Sequence, residues 1–162
     1  VEMISWYHTE IFLARLNEQQ ADNLPTGWVY TLPTESQWEY SCRAGTTTAY
    51  SWGNDINATH ANSSLSGLSQ TNDVGQYAPN PWGFFDMHGN VREWTRDWFS
   101  PNYPIDNPVI DPSGPTSGED RVTRGGSWYD NGSSCRSSKR SSTPMGRNYT
   151  HFGFRVGFQK SQ

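Results

Sequence analysis

From Thr46 to Asn80 the chain runs through roughly 35 residues of mainly Gly, Ser, Asn, Thr and Pro without a sustained hydrophobic period. A loop of that length in a compact domain needs something to hold it, such as bound metal, buried aromatics or a tight hydrogen-bond net. This argues against a helical bundle. The core must be built from rings, because only 33% of residues are apolar but there are 8 Trp, 8 Tyr and 7 Phe. Each large ring buries roughly 150–250 Å². With 15 Gly and 10 Pro, the expectation is a loop-rich fold with an aromatic core, forming one domain over residues 1–162.

Charge and hydropathy narrow the function classes. The net charge is −4 and no Lys/Arg run occurs, so nucleic acid is not an expected partner. No stretch approaches the ~20 apolar residues of a membrane span. The opening Val1-Glu-Met-Ile has neither the basic nor the apolar region of a signal peptide. Cys42 and Cys135 allow either one disulfide or two thiols. Triplets at Asn57, Asn62, Asn131 and Asn148 fit the glycosylation pattern, which matters only in a secreted protein of a glycosylating source.

Local signals place the regular elements. Ser5 is a helix N-cap before Trp6, Ile11, Phe12 and Leu16, whose spacing is helical. Trp28 to Leu32 reads as a strand. Thr34 and Gln37 form a capping-box pattern that opens a second helix carrying Trp38 and Cys42, which Gly45 is placed to end. Further strands are expected at Arg121–Arg124 and Phe152–Phe158, with a turn at Gly125-Gly126. Ser100 to Asp120 is a second Pro/Gly stretch.

Four stretches, in order, resemble the formylglycine-generating-enzyme (sulfatase-modifying factor) family. They are Leu32-Pro-Thr-Glu-Ser-Gln-Trp-Glu-Tyr, Asn80-Pro-Trp-Gly-Phe-Phe-Asp-Met-His-Gly-Asn-Val-Arg-Glu-Trp, Arg121-Val-Thr-Arg-Gly-Gly-Ser-Trp and Gly153-Phe-Arg-Val. The resemblance implies an α+β, C-type-lectin-like fold with two short helices and short antiparallel strands. It also implies an extracellular, cell-surface or periplasmic location. Family domains usually carry a further N-terminal part before the helix that starts here at Ser5, so a missing segment or partner chain is one reading.

The resemblance implies a structural calcium site at Asp86, Gly89, Val91 and Glu93, through two carboxylates and two backbone carbonyls, the oxygen donors that calcium takes. Asn62 could match the first ligand of a second family site, but Ser66 falls where an Asp belongs and Asp73 is only a substitute, so one site is expected. Catalytic members bind copper through two cysteines after the Arg-Gly-Gly-Ser motif. Counting from Ser127 puts the first at Asp130 and the second at Cys135, and Arg92 stands where the family has a substrate-groove Trp. One thiol cannot make a two-thiolate Cu(I) site, and nothing in the sequence brings Cys42 to Cys135. Cys135 is catalytic, and copper a cofactor, only under an oxidase alternative acting on a sulfatase cysteine.

Between Tyr129 and His151 apolar anchors are nearly missing, while Tyr, Ser, Asn, Gly and Arg dominate. That is the composition of an adaptable binding surface. The expected ligand-contacting residues are Trp128, Tyr129, Asp130, Asn131, Ser133, Ser134, Arg136, Arg147, Asn148, Tyr149 and His151. The segment is also similar to the variable region of ligand-binding proteins diversified by retroelements, with Lys139 and Met145 as fixed positions. An ordinary polar loop is the alternative. Trp82, Trp94, Trp98 and Trp128 read as core rather than as a ligand platform, so Trp128 carries both readings. The favoured reading is a non-catalytic module binding a protein or glycan; a structural or accessory domain of a larger assembly is the third.

Overall fold

The computed structural model describes residues 1–102 and 110–161. Part of the Ser100–Asp120 stretch therefore lies outside the described residues.

Helix α1 (Trp6–Gln19) starts at Ser5, whose hydroxyl accepts from the His8 amide while His8 Nδ1 accepts from the Ser5 amide. Its buried stripe is Thr9 and Leu13, one turn apart. Ile11 and Phe12 face outward, although Phe12 meets Phe154 edge-on at 5.3 Å. Strand β1 (Trp28–Thr31) follows, then helix α2 (Glu35–Arg43), capped by Thr34 and Gln37 as expected. Helix α2 ends one residue early, at a left-handed Ala44 that precedes Gly45.

Strands β2 (Arg92–Trp98), β3 (Asp120–Arg124), β4 (Ser141–Pro144) and β5 (Phe152–Phe154) form a sheet in the order β4-β3-β2-β5. β6 (Gly157–Lys160) pairs with β1 instead. Two expectations are corrected here. The strand expected over Phe152–Phe158 is two strands in different sheets, because Phe152–Phe154 pairs with β2 and Gly157–Lys160 with β1. The strands are also not all antiparallel: β2 and β5 run parallel, with Arg92 opposite Phe152. Parallel neighbours need a long crossover, which the chain between them supplies. β4 lies within the segment read as polar loop.

The core is small and aromatic. Leu13, Leu32, Trp94 and Phe152 form one cluster, with the Trp94 and Phe152 rings stacked at 5.4 Å. Trp38, Cys42 and Met87 form a second. Of the tryptophans expected inside, Trp94 is fully buried and Trp98 stacks on the Arg121 guanidinium at 3.5 Å. Trp82 is 46% exposed and packs only edge-on to Tyr40 among the described ring pairs.

The long loop is held by side-chain amides. Asn62 donates to the Gln70 carbonyl and accepts from Ser66 Oγ, while its own carbonyl accepts from the Asn90 amide at 2.7 Å. Asn80 donates to the Ser41 and Cys42 carbonyls and accepts from the Trp82 and Phe84 amides. These bonds satisfy backbone groups that a long loop would otherwise bury unpaired. Gly89 has a φ of +86°, and a Cβ there would collide with the Asn62 carbonyl, so only glycine lets the two segments meet.

Candidate functional site: an aromatic corner on a polar frame

The tight turn at Gly125-Gly126 carries the chain from β3 into Ser127 and Trp128. Gly126 has a φ of +68°, and an added Cβ would lie 2.7 Å from Cys135 Sγ. The Trp128 amide donates to the Asn90 carbonyl, which fixes this segment against the calcium-candidate turn.

Asp130 is expected to touch ligand, but it is a frame residue. Its side chain is 9% exposed and takes Arg92 Nε at 2.8 Å and Ser127 Oγ at 2.6 Å on Oδ2, with Arg92 Nη2 on Oδ1. Burial pushes its pKa up, but the bonds from Arg92 and Ser127 outweigh this and hold the carboxyl below its ordinary value. Asn131 caps the short 3₁₀ helix Gly132–Cys135, and its Oδ1 accepts from the Ser134 amide and from the Ser133 and Ser134 hydroxyls. Arg136 follows that helix, and its charge is felt by Tyr50. Asp130, Asn131, Ser133 and Ser134 shape the frame through these local bonds.

The remaining expected residues come together. The His151 ring lies between Tyr129 and Tyr149, with centroids at 5.5 and 5.4 Å and interplanar angles of 20° and 15°. Trp128 stands at right angles to Tyr129 and His151. The Arg147 guanidinium lies 5.6 Å from the Tyr149 ring centre. Trp128, Tyr129, Asn148, Tyr149 and His151, with Met3 and Thr150, line an open recess of about 400 Å³. Tyr129 is 67% exposed and Tyr149 46%. Burial first, and then the Arg92 charge, lower the His151 pKa, which favours the neutral ring.

Arg92 ties the two flanks of this recess together. Its side chain grips Asp130, its amide donates to the His151 carbonyl at 2.8 Å, and its guanidinium lies 5.9 Å from the Phe152 ring centre. The sequence showed Arg92 only as a cation where the family has tryptophan; its link to the recess was not readable. Met3, Thr150 and Ser127 also escaped sequence reasoning.

Asp86, Val91 and Glu93 line an open cavity of about 780 Å³. Glu93 accepts from Trp38 Nε1 and Arg155 Nε on Oε2, and from Arg155 Nη2 on Oε1. Arg155 Nη2 also donates to the Phe85 carbonyl, so the guanidinium bridges both ends of the turn. Asp86 accepts from the Gly75 amide at 2.7 Å. In kind, two carboxylates with the Gly89 and Val91 carbonyls fit a hard cation such as calcium. In charge, that cation would share Glu93 with Arg155. Of the second-site residues, Asn62 and Ser66 bond to each other.

Cys42 and Cys135 are free and buried. The structure brings both to His88, Cys42 through Sγ at 3.6 Å from Nε2 and Cys135 through its carbonyl at 2.7 Å from Nδ1. Burial pushes both thiols up to about 12, and it pushes His88 down to about 4.

The helices, the split strand and the amide-held loop define an α+β domain of the formylglycine-generating-enzyme, C-type-lectin-like type. The chain belongs to the sulfatase-modifying factor enzyme 1-like domain family, which matches residues 1–159. It is 38% identical over 141 residues to the formylglycine-generating enzyme of Streptomyces coelicolor, covering 76% of this chain and 45% of that protein. The enzyme of Mus musculus is 36% identical over 141 residues, covering 76% of this chain and 38% of its own length. The chain thus spans under half the length of these relatives. Among solved structures, Treponema denticola variable protein 1 superposes with a TM-score of 0.88 at 26% identity, covering 99% of this chain and 70% of that one. Among the described residues no helix is long and apolar enough to cross a membrane.

Proposed function

We propose that the chain is a non-catalytic ligand-binding module that presents the Trp128–Tyr129–Tyr149–His151 corner on a calcium-held scaffold. The observation that carries this reading is the exposed Tyr129–His151–Tyr149 stack on a frame in which Asp130 and Asn131 are already paired. Rigid rings give contact area at small entropic cost, and a paired frame keeps them in place. The likeness to a variable protein supports the same reading.

Calcium would be held by Asp86 and Glu93 through carboxylates and by Gly89 and Val91 through carbonyls. It would supply positive charge that fixes the turn beneath Asn90 and hence Trp128. A site sharing Glu93 with Arg155 suits the high calcium of an extracellular, cell-surface or periplasmic setting. A chelator should lower the melting temperature; an unchanged value removes calcium from the proposal.

The oxidase alternative would need Cys135 as a thiolate nucleophile or copper ligand. Its full burial and raised pKa weigh against that. The binding reading is tested on protein and glycan arrays, comparing the native chain with a Tyr129→Ala/Tyr149→Ala double variant of unchanged fold. A bound component released by the variant supports the reading, and binding indifferent to it sinks the assignment. Sequencing the gene across its source population tests diversification: changes confined to exposed positions of 129–151 support it, and an invariant segment leaves a fixed binder.

A further inference from the structure

We infer that the aromatic corner takes a protein segment in which an apolar or aromatic side chain lies beside a carboxylate. This rests on the corner being the binding surface, and it specifies the chemistry of the partner.

Asp130 is the nearest acid, and both of its oxygens are engaged by Arg92, with Ser127 on one of them as well. Among the described residues no carboxylate lines the corner. A cationic ligand would find ring faces there but would meet the like charge of Arg147 and no carboxylate. A neutral sugar could rest on the rings and bond to the Tyr hydroxyls, Asn148 and Thr150, but it would leave the nearby Arg147 guanidinium without a counter-charge.

What the corner does offer is ring edges, the perpendicular Trp128 wall and one cation. Arg147 is exposed with its guanidinium 5.6 Å from the Tyr149 ring centre, beside the residues that line the recess. Its guanidinium can take a carboxylate in planar, bidentate fashion while an apolar group rests against the rings. Aromatics and Arg together are the groups that dominate protein–protein hot spots, and an open recess of about 400 Å³ holds a side chain or two. The chain as a whole carries −4, so attraction for an acidic segment must come from local charge such as that of Arg147. Local charge complementarity at Arg147 therefore selects the partner.

The test pans a phage-displayed random dodecapeptide library on the full chain, then resynthesises the enriched peptides and measures their affinities. Enriched peptides should place Asp or Glu within about two positions of an aromatic or aliphatic residue. Arg147→Glu should weaken them roughly 30-fold or more at unchanged melting temperature, with Arg147→Lys recovering part of the loss. Peptides lost in Tyr129→Ala but lacking acids, or indifferent to Arg147→Glu, overturn the inference and leave the binding surface standing. A glycan bound at the corner in a parallel array does the same. Peptides indifferent to both Tyr129→Ala and Tyr149→Ala, or no enrichment at all, overturn the surface itself.

Discussion

Arg92 Nε lies 2.8 Å from Asp130 Oδ2, and the same residue's amide holds the His151 carbonyl, so one side chain and its own backbone join both flanks of the recess. Asp130→Asn should cost about 2 kcal/mol in urea denaturation, because it leaves Arg92 partly buried without its counter-charge. The sign with pH follows from the depressed Asp130 pKa. The pair's contribution is present above the ordinary carboxyl value of 3.8 and is lost as pH falls through the lower folded value. A variant as stable as the native chain at neutral pH would show that the pair is ornamental.

Asp97 works in the opposite direction. It is 4% exposed, accepts from the Glu35 amide at 2.7 Å, and is raised to about 6 by burial and by the Glu35 carboxylate charge, against the lowering effect of that amide bond. Its folded pKa lies above the unfolded 3.8, so stability is full below 3.8 and declines as pH rises to about 6. Asp97→Asn keeps an acceptor for Glu35 and removes the penalty. The expected result is a gain of about 2 kcal/mol at pH 7 and none at pH 3.5. An equal effect at both pH values would contradict this.

His88 acts over an overlapping range with the reverse sign. Burial lowers it from 6.5 to about 4, so the folded chain binds the proton less tightly than the unfolded one. Stability falls as pH drops from 6.5 toward about 4. In the Asp97→Asn background this acid sensitivity should appear undiluted, and adding His88→Gln should flatten it. An NMR titration of His88 with a midpoint near 6.5 would refute the assignment.

The thiols supply a chemical check. Cys42 and Cys135 are both fully buried and raised to about 12. Neither should react with a disulfide reagent at pH 8 until the chain is unfolded, when both should react. One fast thiol in the native protein would revive the oxidase alternative.

The caps at Ser5 and Thr34, the Gly125-Gly126 turn, β1 and β3 were legible in the sequence, because each depends on residues a few positions apart. The segment 129–151 stood out by composition, and Trp128, Tyr129, Asn148, Tyr149 and His151 line one recess. Asp130, Asn131, Ser133 and Ser134 could not be sorted from them, since polar side chains facing ligand and polar side chains bracing a frame look alike in sequence. Only the tertiary structure separated them, by bringing Arg92 from β2 onto Asp130. It likewise divided the last strand between two sheets and ran β5 parallel to β2, because pairing partners are set by long-range packing. The sequence by itself determined the caps, the turns and the supply of rings, all local chemistry. Which rings face water, and which acid is spent holding them, was decided when distant segments met and buried polar groups had to find partners.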